Sequence, residues 1–478
     1  MIPIGETQDG RADMTNFEMD LFDTKINSYA LEKEESEQCC QHSIIKPACV
    51  PVSIISLFIF LIVFFPLFNE DGFDTGSVRY DRNGYCTDQC RLVSFFEVYI
   101  LNQFRVQLVE TIPSILIFDN SSLTSLSTYE VWKKLLDDAQ VSIDVASFYW
   151  NLRDPVAHST SWQGNDTFER FIASAERGVR IRIAQNQPTT IFPQLDSKYF
   201  AENDSRHVYI GSANMDWKSL TEVKELGIVI WNCTCIANDL YKIFNIYWRL
   251  GVRGAKIPYK WPLNLRTYFN FSHPLKLLSA KDASVFISSS PPQFNAKGRE
   301  DDSDAIVAVM DNAHEFVHIS VMDYMPATIY RTSNNNTYWP KLDNAIRATA
   351  YRGVNVRLLV SHWKYSRPEM IHFLKSLLEI NDGIPRKANH SGKIEVKLFT
   401  IPLDPSREEI PHTLVNHNKF MVTEKIAYFG TSNWAGDYFI NTAGVGISFT
   451  SSTHVNLLNE IFLRDWASKY AKTVREFL

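Results

Sequence analysis

The stretch VNHNKFMVTEKIAYFGTSNW, Val415 to Trp434, decides how the rest of the chain is read. It places His417, Lys419 and Glu424 in an H-x-K-x4-E pattern and follows them with Thr431 and Asn433 on GTSN. On a strand, residues i and i+2 share a face, so His417 and Lys419 are expected to point together. An imidazole beside an ammonium and an amide suits a phosphoryl group. Histidine can attack phosphorus or protonate a leaving oxygen, while lysine and asparagine hold the equatorial oxygens. An H-x-K pair alone is weak, because most such pairs are solvated strand residues. What strengthens it is a second copy of its surroundings.

GSANMDW from Gly211 matches GTSNWAG from Gly430, and IFNIYW from Ile243 matches IFLRDW from Ile461. Upstream, IDVASFYW from Ile143 and HISVMDYM from His318 lie 175 positions apart, the offset that also relates RGVRIRI from Arg177 to RGVNVRL from Arg352. Four paired landmarks in one order indicate two homologous halves. Each half opens with a β-branched strand, continues with a helix (around 167–177 or 339–351) and returns to a strand after an Arg-Gly turn. That alternation predicts α/β layering around a largely parallel or mixed sheet. The halves close with helices whose Val455, Leu458, Phe462 and Trp466 repeat at helical spacing and read as core. The halves are unequal, since a helix around 368–380 and a strand around 394–401 face only QNQPTTIFPQL, from Gln185, in the first half.

HNKFMVTEKIAYFGTSNW and YIGSANMDWKSLTEVKELG resemble the paired HKD signatures of the phospholipase D superfamily. The likeness covers nearly everything after the stalk; the chain resembles an inactive member of the family, its fifth, and the anchor is similar to that of the family's lysosomal and endoplasmic-reticulum branch. The resemblance implies two α-β-α halves with pseudo-twofold symmetry that build one site. One histidine would be the nucleophile and the other the general acid, with no metal and no cofactor. The chain departs from that pattern in LDSKYFAEN: Asp196 stands where the family has histidine, Lys198 matches the lysine, and Asn203 stands where the family has aspartate. Glu424 replaces the usual second aspartate, as it does in active relatives.

A carboxylate nucleophile at Asp196 would face an anionic phosphate, and two anions about 4 Å apart repel by about 4 kcal/mol at an effective dielectric of 20. Losing one member of a nucleophile and acid pair costs orders of magnitude in rate. The expectation is therefore a catalytically inactive pseudoenzyme with vestigial His417, Lys419, Glu424 and Lys198. Lys198, Asn214, Lys419 and Asn433 are expected to remain as a phosphate-binding set, unless Asp196 pairs with Lys198 or Lys419 and closes it. The alternatives are an active lumenal phosphodiesterase on phospholipid or single-stranded nucleic acid, working from His417 and Lys419, and a scaffold that holds a phosphate-bearing ligand or a protein partner. A homodimer is compatible with each.

Composition bounds these readings. The 478 residues are 45% hydrophobic, which excludes disorder as the main class. The formal net charge of −6 is concentrated in residues 1 to 45, which hold ten acidic and three basic side chains. The remaining body is almost neutral, so nucleic acid is not expected as a partner. From Ala48 to Phe68 no charged residue occurs, and 21 residues at about 1.5 Å each span roughly 31 Å, a bilayer's hydrocarbon core. The reading is one uncleaved transmembrane signal-anchor, with Lys46 on its cytosolic side and Glu70, Asp71 and Asp74 beyond it.

The domain layout expected is a cytosolic tail over 1–47, the anchor over 48–68, a lumenal stalk over 69–130, a first half over 131–270 and a second over 271–478. Seven sequons, at Asn120, Asn165, Asn203, Asn232, Asn270, Asn335 and Asn389, all follow the anchor. They predict a type II glycoprotein of the secretory pathway, in the endoplasmic reticulum, endolysosome or cell surface. Cys86 and Cys90 of the stalk are expected to cross-link to Cys233 and Cys235, because closing the last two on each other is strained. No zinc spacing or Walker loop occurs, and Asp301 and Asp302 in KGREDDSD read as a solvated loop.

Overall fold

The computed structural model describes residues 105–118, 123, 125–186, 207–277, 283–330, 336–385, 392–403 and 410–477, all within one compact unit. The anchor, Cys86, Cys90, Asp196, Lys198 and Asn203 lie outside these residues, as do the sequons at Asn120, Asn335 and Asn389. No helix among the described residues is long and apolar enough to cross a membrane.

The first part of the chain forms β1 (Arg105–Thr111), β2 (Leu126–Ser127), β3 (Ser142–Ser147), β4 (Trp150–Asn151), β5 (Arg180–Gln185), β6 (Val208–Gly211), β7 (Met215–Asp216) and β8 (Glu225–Trp231). The second forms β9 (Leu275–Lys276), β10 (Ser284–Ser290), β11 (Glu300–Asp301), β12 (Phe316–Val321), β13 (Tyr324–Met325) and β14 (Asn355–Ser361). It continues with β15 (Lys393–Phe399), β16 (Lys419–Thr423), β17 (Ala427–Gly430), β18 (Trp434–Ala435), β19 (Gly444–Phe449) and β20 (Ala471–Thr473). The same order of strands and helices recurs from β1 and from β10. The departures from it are β15, β16, β20 and the helix Pro368–Glu379, which have no earlier counterpart among the described residues.

Local signals explain the elements. Ser127 and Glu130 form a reciprocal capping box that starts the helix Thr128–Asp138. Gly353, at φ 108°, ends the helix Lys341–Arg352 in the left-handed conformation that glycine adopts without steric cost. The run ELGIVIW has no polar alternation and is buried along its whole length as β8. One expectation fails here. Asp301 caps the helix Asp302–Asp311 through the backbone N–H groups of Ser303 and Asp304. Asp302 is fully buried rather than solvated, and its carboxylate accepts hydrogen bonds from Ser288 Oγ at 2.7 Å and Tyr428 Oη at 2.9 Å. A charge run says nothing of burial when a helix start and two buried hydroxyls can satisfy it.

In the second half one mixed sheet runs β11-β10-β19-β17-β16-β12-β14-β15-β20, with β9 on β10. In the first half the described strands form three separate pieces, β2-β1-β8-β6, β3-β5 and β4-β7. β16 joins β17 to β12 by antiparallel pairing on both sides; among the described residues no strand joins β6 to β3. Each half has its own outer core. A third core takes Ile228, Ile230 and Ile243 from the first half and Ile447, Leu458 and Phe462 from the second, which ties the halves together.

Candidate active site

A cavity of 2180 Å³ lies where β3 and β6 are left unjoined, and it is lined by residues of both halves, including Asn214, His417, Lys419 and Asn433. Four of the residues singled out in the sequence thus line one cavity. Lys419 begins β16, and His417 precedes it in an extended segment held by a parallel bridge between Asn416 and Lys224. The His417 N–H donates to Lys224 O at 2.8 Å and the Lys224 N–H to Val415 O at 3.0 Å. The chain entering β16 is therefore fixed against the residue just before β8.

That register brings in Glu225, which the sequence reading missed. Its Oε2 is 2.9 Å and its Oε1 3.1 Å from His417 Nδ1. It also accepts from Ser212 Oγ and from Ser219 Oγ at 2.8 Å, with nothing left exposed. A buried carboxylate so held keeps its partner imidazole in the Nδ1–H tautomer and stabilises positive charge that develops on the ring. It leaves Nε2, on the opposite side, as the reactive nitrogen. The available signal was a carboxylate opening an otherwise apolar strand, where a buried charge needs a partner.

Lys419 is buried, and its Nζ donates to His417 O at 2.9 Å. Burial pulls its pKa down from 10.5 to about 7, against the opposing pull of the carboxylates of Glu225 and Asp323. Asp196, which could pair with Lys198 or Lys419, lies outside the described residues; among those described, the acids acting on Lys419 are Glu225 and Asp323. Burial also raises the Asp323 pKa, with Lys419, Arg367 and His417 pulling the other way. Ser432 Oγ and Asn433 Oδ1 are buried on the cavity wall and have no hydrogen-bond partner among the described residues. Glu424 does not join them. Its carboxylate accepts from the backbone N–H groups of His314 at 2.9 Å, Glu315 at 3.3 Å and Phe316 at 3.4 Å, so it anchors the entry to β12. Burial raises its pKa, but those donors together with its own backbone N–H more than offset that and leave it below the usual value.

Behind the site, Lys224 Nζ is 2.8 Å from Asp465 Oδ2 and 3.6 Å from Glu110 Oε1, and Arg464 closes the group with contacts of 2.7 Å to Glu110 and 2.9 Å to Asp465. Glu110 lies on β1 and Lys224 just before β8, whereas Arg464 and Asp465 lie on the helix Ser452–Ala467. Among the described residues, no group of three or more His, Cys, Asp or Glu side chains is arranged to hold a metal ion. Cys233 and Cys235 are both disulfide-bonded, and the stalk cysteines expected to pair with them lie outside the described residues.

A family profile described as PLD3/4, PLD-like domain, matches residues 192–404. The chain is 44% identical over 517 aligned residues to a Caenorhabditis elegans protein named probable phospholipase D, covering 98% of this chain and 89% of that one. It is 39% identical over 469 residues to the 5′-3′ exonuclease PLD3 of Xenopus tropicalis, covering 89% of this chain and 90% of that one. Among solved structures, phosphatidylserine synthase of Haemophilus influenzae Rd KW20 aligns with a TM-score of 0.46 at 11% identity, over 73% of this chain and 86% of that one. The names of the sequence relatives are those of enzymes, and they overturn the expectation of a catalytically inactive protein. That expectation weighed the loss of one histidine, and it had no sight of the carboxylate from the first half that orients the other.

Proposed function

Because the chain belongs to the phospholipase D family, and because Glu225 and His417 meet across its two halves, we propose that it is an active phosphodiesterase that hydrolyses nucleic-acid strands from a 5′ end. The observation that carries the reading is the 2.9 Å contact between His417 Nδ1 and Glu225. His417 Nε2 attacks phosphorus, and the bond from phosphorus to the leaving oxygen breaks, that oxygen taking a proton from water. The phosphohistidine carries positive charge on its ring, which Glu225 offsets. Water then attacks phosphorus, the P–N bond breaks, the proton this water gives up neutralises the hydroxide left by the first step, and a phosphate monoester leaves with the imidazole neutral again. Lys419, Asn214 and Asn433 hold the equatorial oxygens through both steps. The exonuclease name of the Xenopus relative supports the polymer and its polarity. A phospholipid diester is the second reading, carried by the name of the worm relative.

The test is hydrolysis by the purified full-length protein at acidic and neutral pH, on a 3′-labelled single-stranded oligonucleotide and on phosphatidylcholine micelles, beside a His417→Ala control. Stepwise shortening from the 5′ end that the control lacks supports the reading. Cleavage that survives in the control, or none in the native protein, overturns it.

The same reading places the two halves about a pseudo-twofold axis and the folded body in the lumen. Asn165 is exposed on the helix Trp162–Glu176, open to a glycan. A band from eukaryotic membranes that an endoglycosidase leaves unshifted would defeat the topology. Pairing of Cys86 and Cys90 with Cys233 and Cys235 would appear as cross-linked peptides in a non-reducing digest; free thiols at all four would refute it.

A further inference from the structure

After the helix Thr234–Leu250 the chain crosses the rim of the cavity as GVRGAKIPYK, and all ten residues from Gly251 to Lys260 are exposed. The arch is not loose at its ends. Leu250 on one side and Trp261 and Leu265 on the other pack on Ile246 and Phe294, and Trp261 Nε1 donates to Gln293 O at 2.9 Å. Held by those anchors, the arch presents Tyr259 at 98% exposure and Val252 at 63%, with Leu263 at 66% just beyond it. Between 249 and 268 stand Arg249, Arg253, Lys256, Lys260 and Arg266, with no Asp or Glu. Arg253, Lys256 and Lys260 are exposed and form no ion pair among the described residues. Lys260 lies 5.8 Å from the ring of Tyr259, and Arg266 lies 4.8 Å from that of Tyr268.

The three exposed cations Arg253, Lys256 and Lys260, interleaved with exposed Tyr259, suit an anionic partner that also offers flat apolar faces. Single-stranded nucleic acid has both, because phosphates pair with the cations while unpaired bases stack on the rings. Continuity with the site selects it over a bilayer surface. Gly251, Val252, Arg253 and Gly254 line the same cavity as His417 and Lys419, so a strand whose terminal phosphate lies at His417 and whose remainder leaves on this side must cross the arch. We propose that the segment from Arg249 to Tyr268 is the track on which the part of the strand beyond the cleaved phosphate is held. The proposal rests on the nuclease reading above.

The test measures binding of a fluorescent single-stranded 20-mer and of a 3-mer to the full-length protein carrying His417→Ala, which separates binding from cleavage. Replacing Arg253, Lys256 and Lys260 together by alanine should flatten the logarithmic salt dependence of 20-mer binding by about two, at about 0.7 for each phosphate that is no longer neutralised. Tyr259→Ala should weaken the 20-mer about tenfold and the 3-mer far less. All four side chains are exposed, so an unchanged melting temperature is expected and serves as the folding control. A 20-mer that binds with native affinity and salt slope after these changes overturns the proposal. So does a native protein that binds no strand, or a triple variant that loses only its binding to phosphatidylserine vesicles. If the rim changes weaken the 20-mer but the native protein cleaves no phosphodiester, the track stands and the catalytic reading falls.

Discussion

The two halves follow one order of elements and do different work. Glu225 and Gly444 both stand fourteen residues after the glycine of their landmark, Gly211 or Gly430. In the first half that position is the carboxylate that orients His417. In the second it is a glycine on which a Cβ would lie 2.3 Å from Ser432 Oγ and 2.6 Å from Ser290 Oγ, leaving no space for an acid. The helix starts differ as well. Thr128 accepts a hydrogen bond from Thr111 at 2.8 Å, where the second half has Asp302 between Ser288 and Tyr428. The second half therefore supplies His417 and Lys419 to the cavity, and the first supplies the acid that contacts His417. One order of elements carries two different sets of side chains.

That division of labour can be broken at several points. His417→Ala removes the nucleophile and should lower turnover about ten-thousand-fold or more, measured as initial rate on the oligonucleotide. Lys224→Met leaves Glu110 and Asp465 short of a cation where the halves meet. Breaking one partner of a buried charge group costs about 3 to 5 kcal/mol, and chemical denaturation should show it as an early loss of the native state. Glu225→Gln keeps the size and one acceptor but removes the charge. It should cost about a hundredfold in kcat with little change in KM, because the acid acts on charge that develops during the reaction.

Two pH effects are smaller and sharpen the comparison. Lys419, at about 7, is an ammonium below that value and a neutral amine above it. Binding of a phosphate analogue should therefore weaken by about tenfold per pH unit on the alkaline side, and Lys419→Arg should move that decline upward. Asp302, pushed up by burial to about 6, binds its proton more tightly folded than unfolded. Native stability should thus rise as pH falls from about 6 toward the unfolded carboxyl value near 4, and Asp302→Asn should remove that slope in thermal melts followed across this range.

Much of the architecture was legible because it is local or repeated. The expected helices over 167–177, 339–351 and 368–380 appear as Trp162–Glu176, Lys341–Arg352 and Pro368–Glu379, since apolar periodicity marks a helix better than it marks its ends. Val455, Leu458, Phe462 and Trp466 are buried as their spacing implied. Net charge is a coarse guide to local electrostatics, because an average over hundreds of residues hides a twenty-residue rim that carries five cations and no acid.

By itself the sequence determined the α/β layering and an order of elements that recurs along the chain, because both follow from spacing and periodicity. Only the tertiary structure decided which partners the side chains meet. Glu225 reaches His417 across 192 positions, Glu424 turns away to hold three backbone donors, and Asp302 is buried. A carboxylate has the same letter whether it orients a nucleophile, ties down a strand or caps a core; its partners, brought by chain closure from distant positions, set its charge and its use.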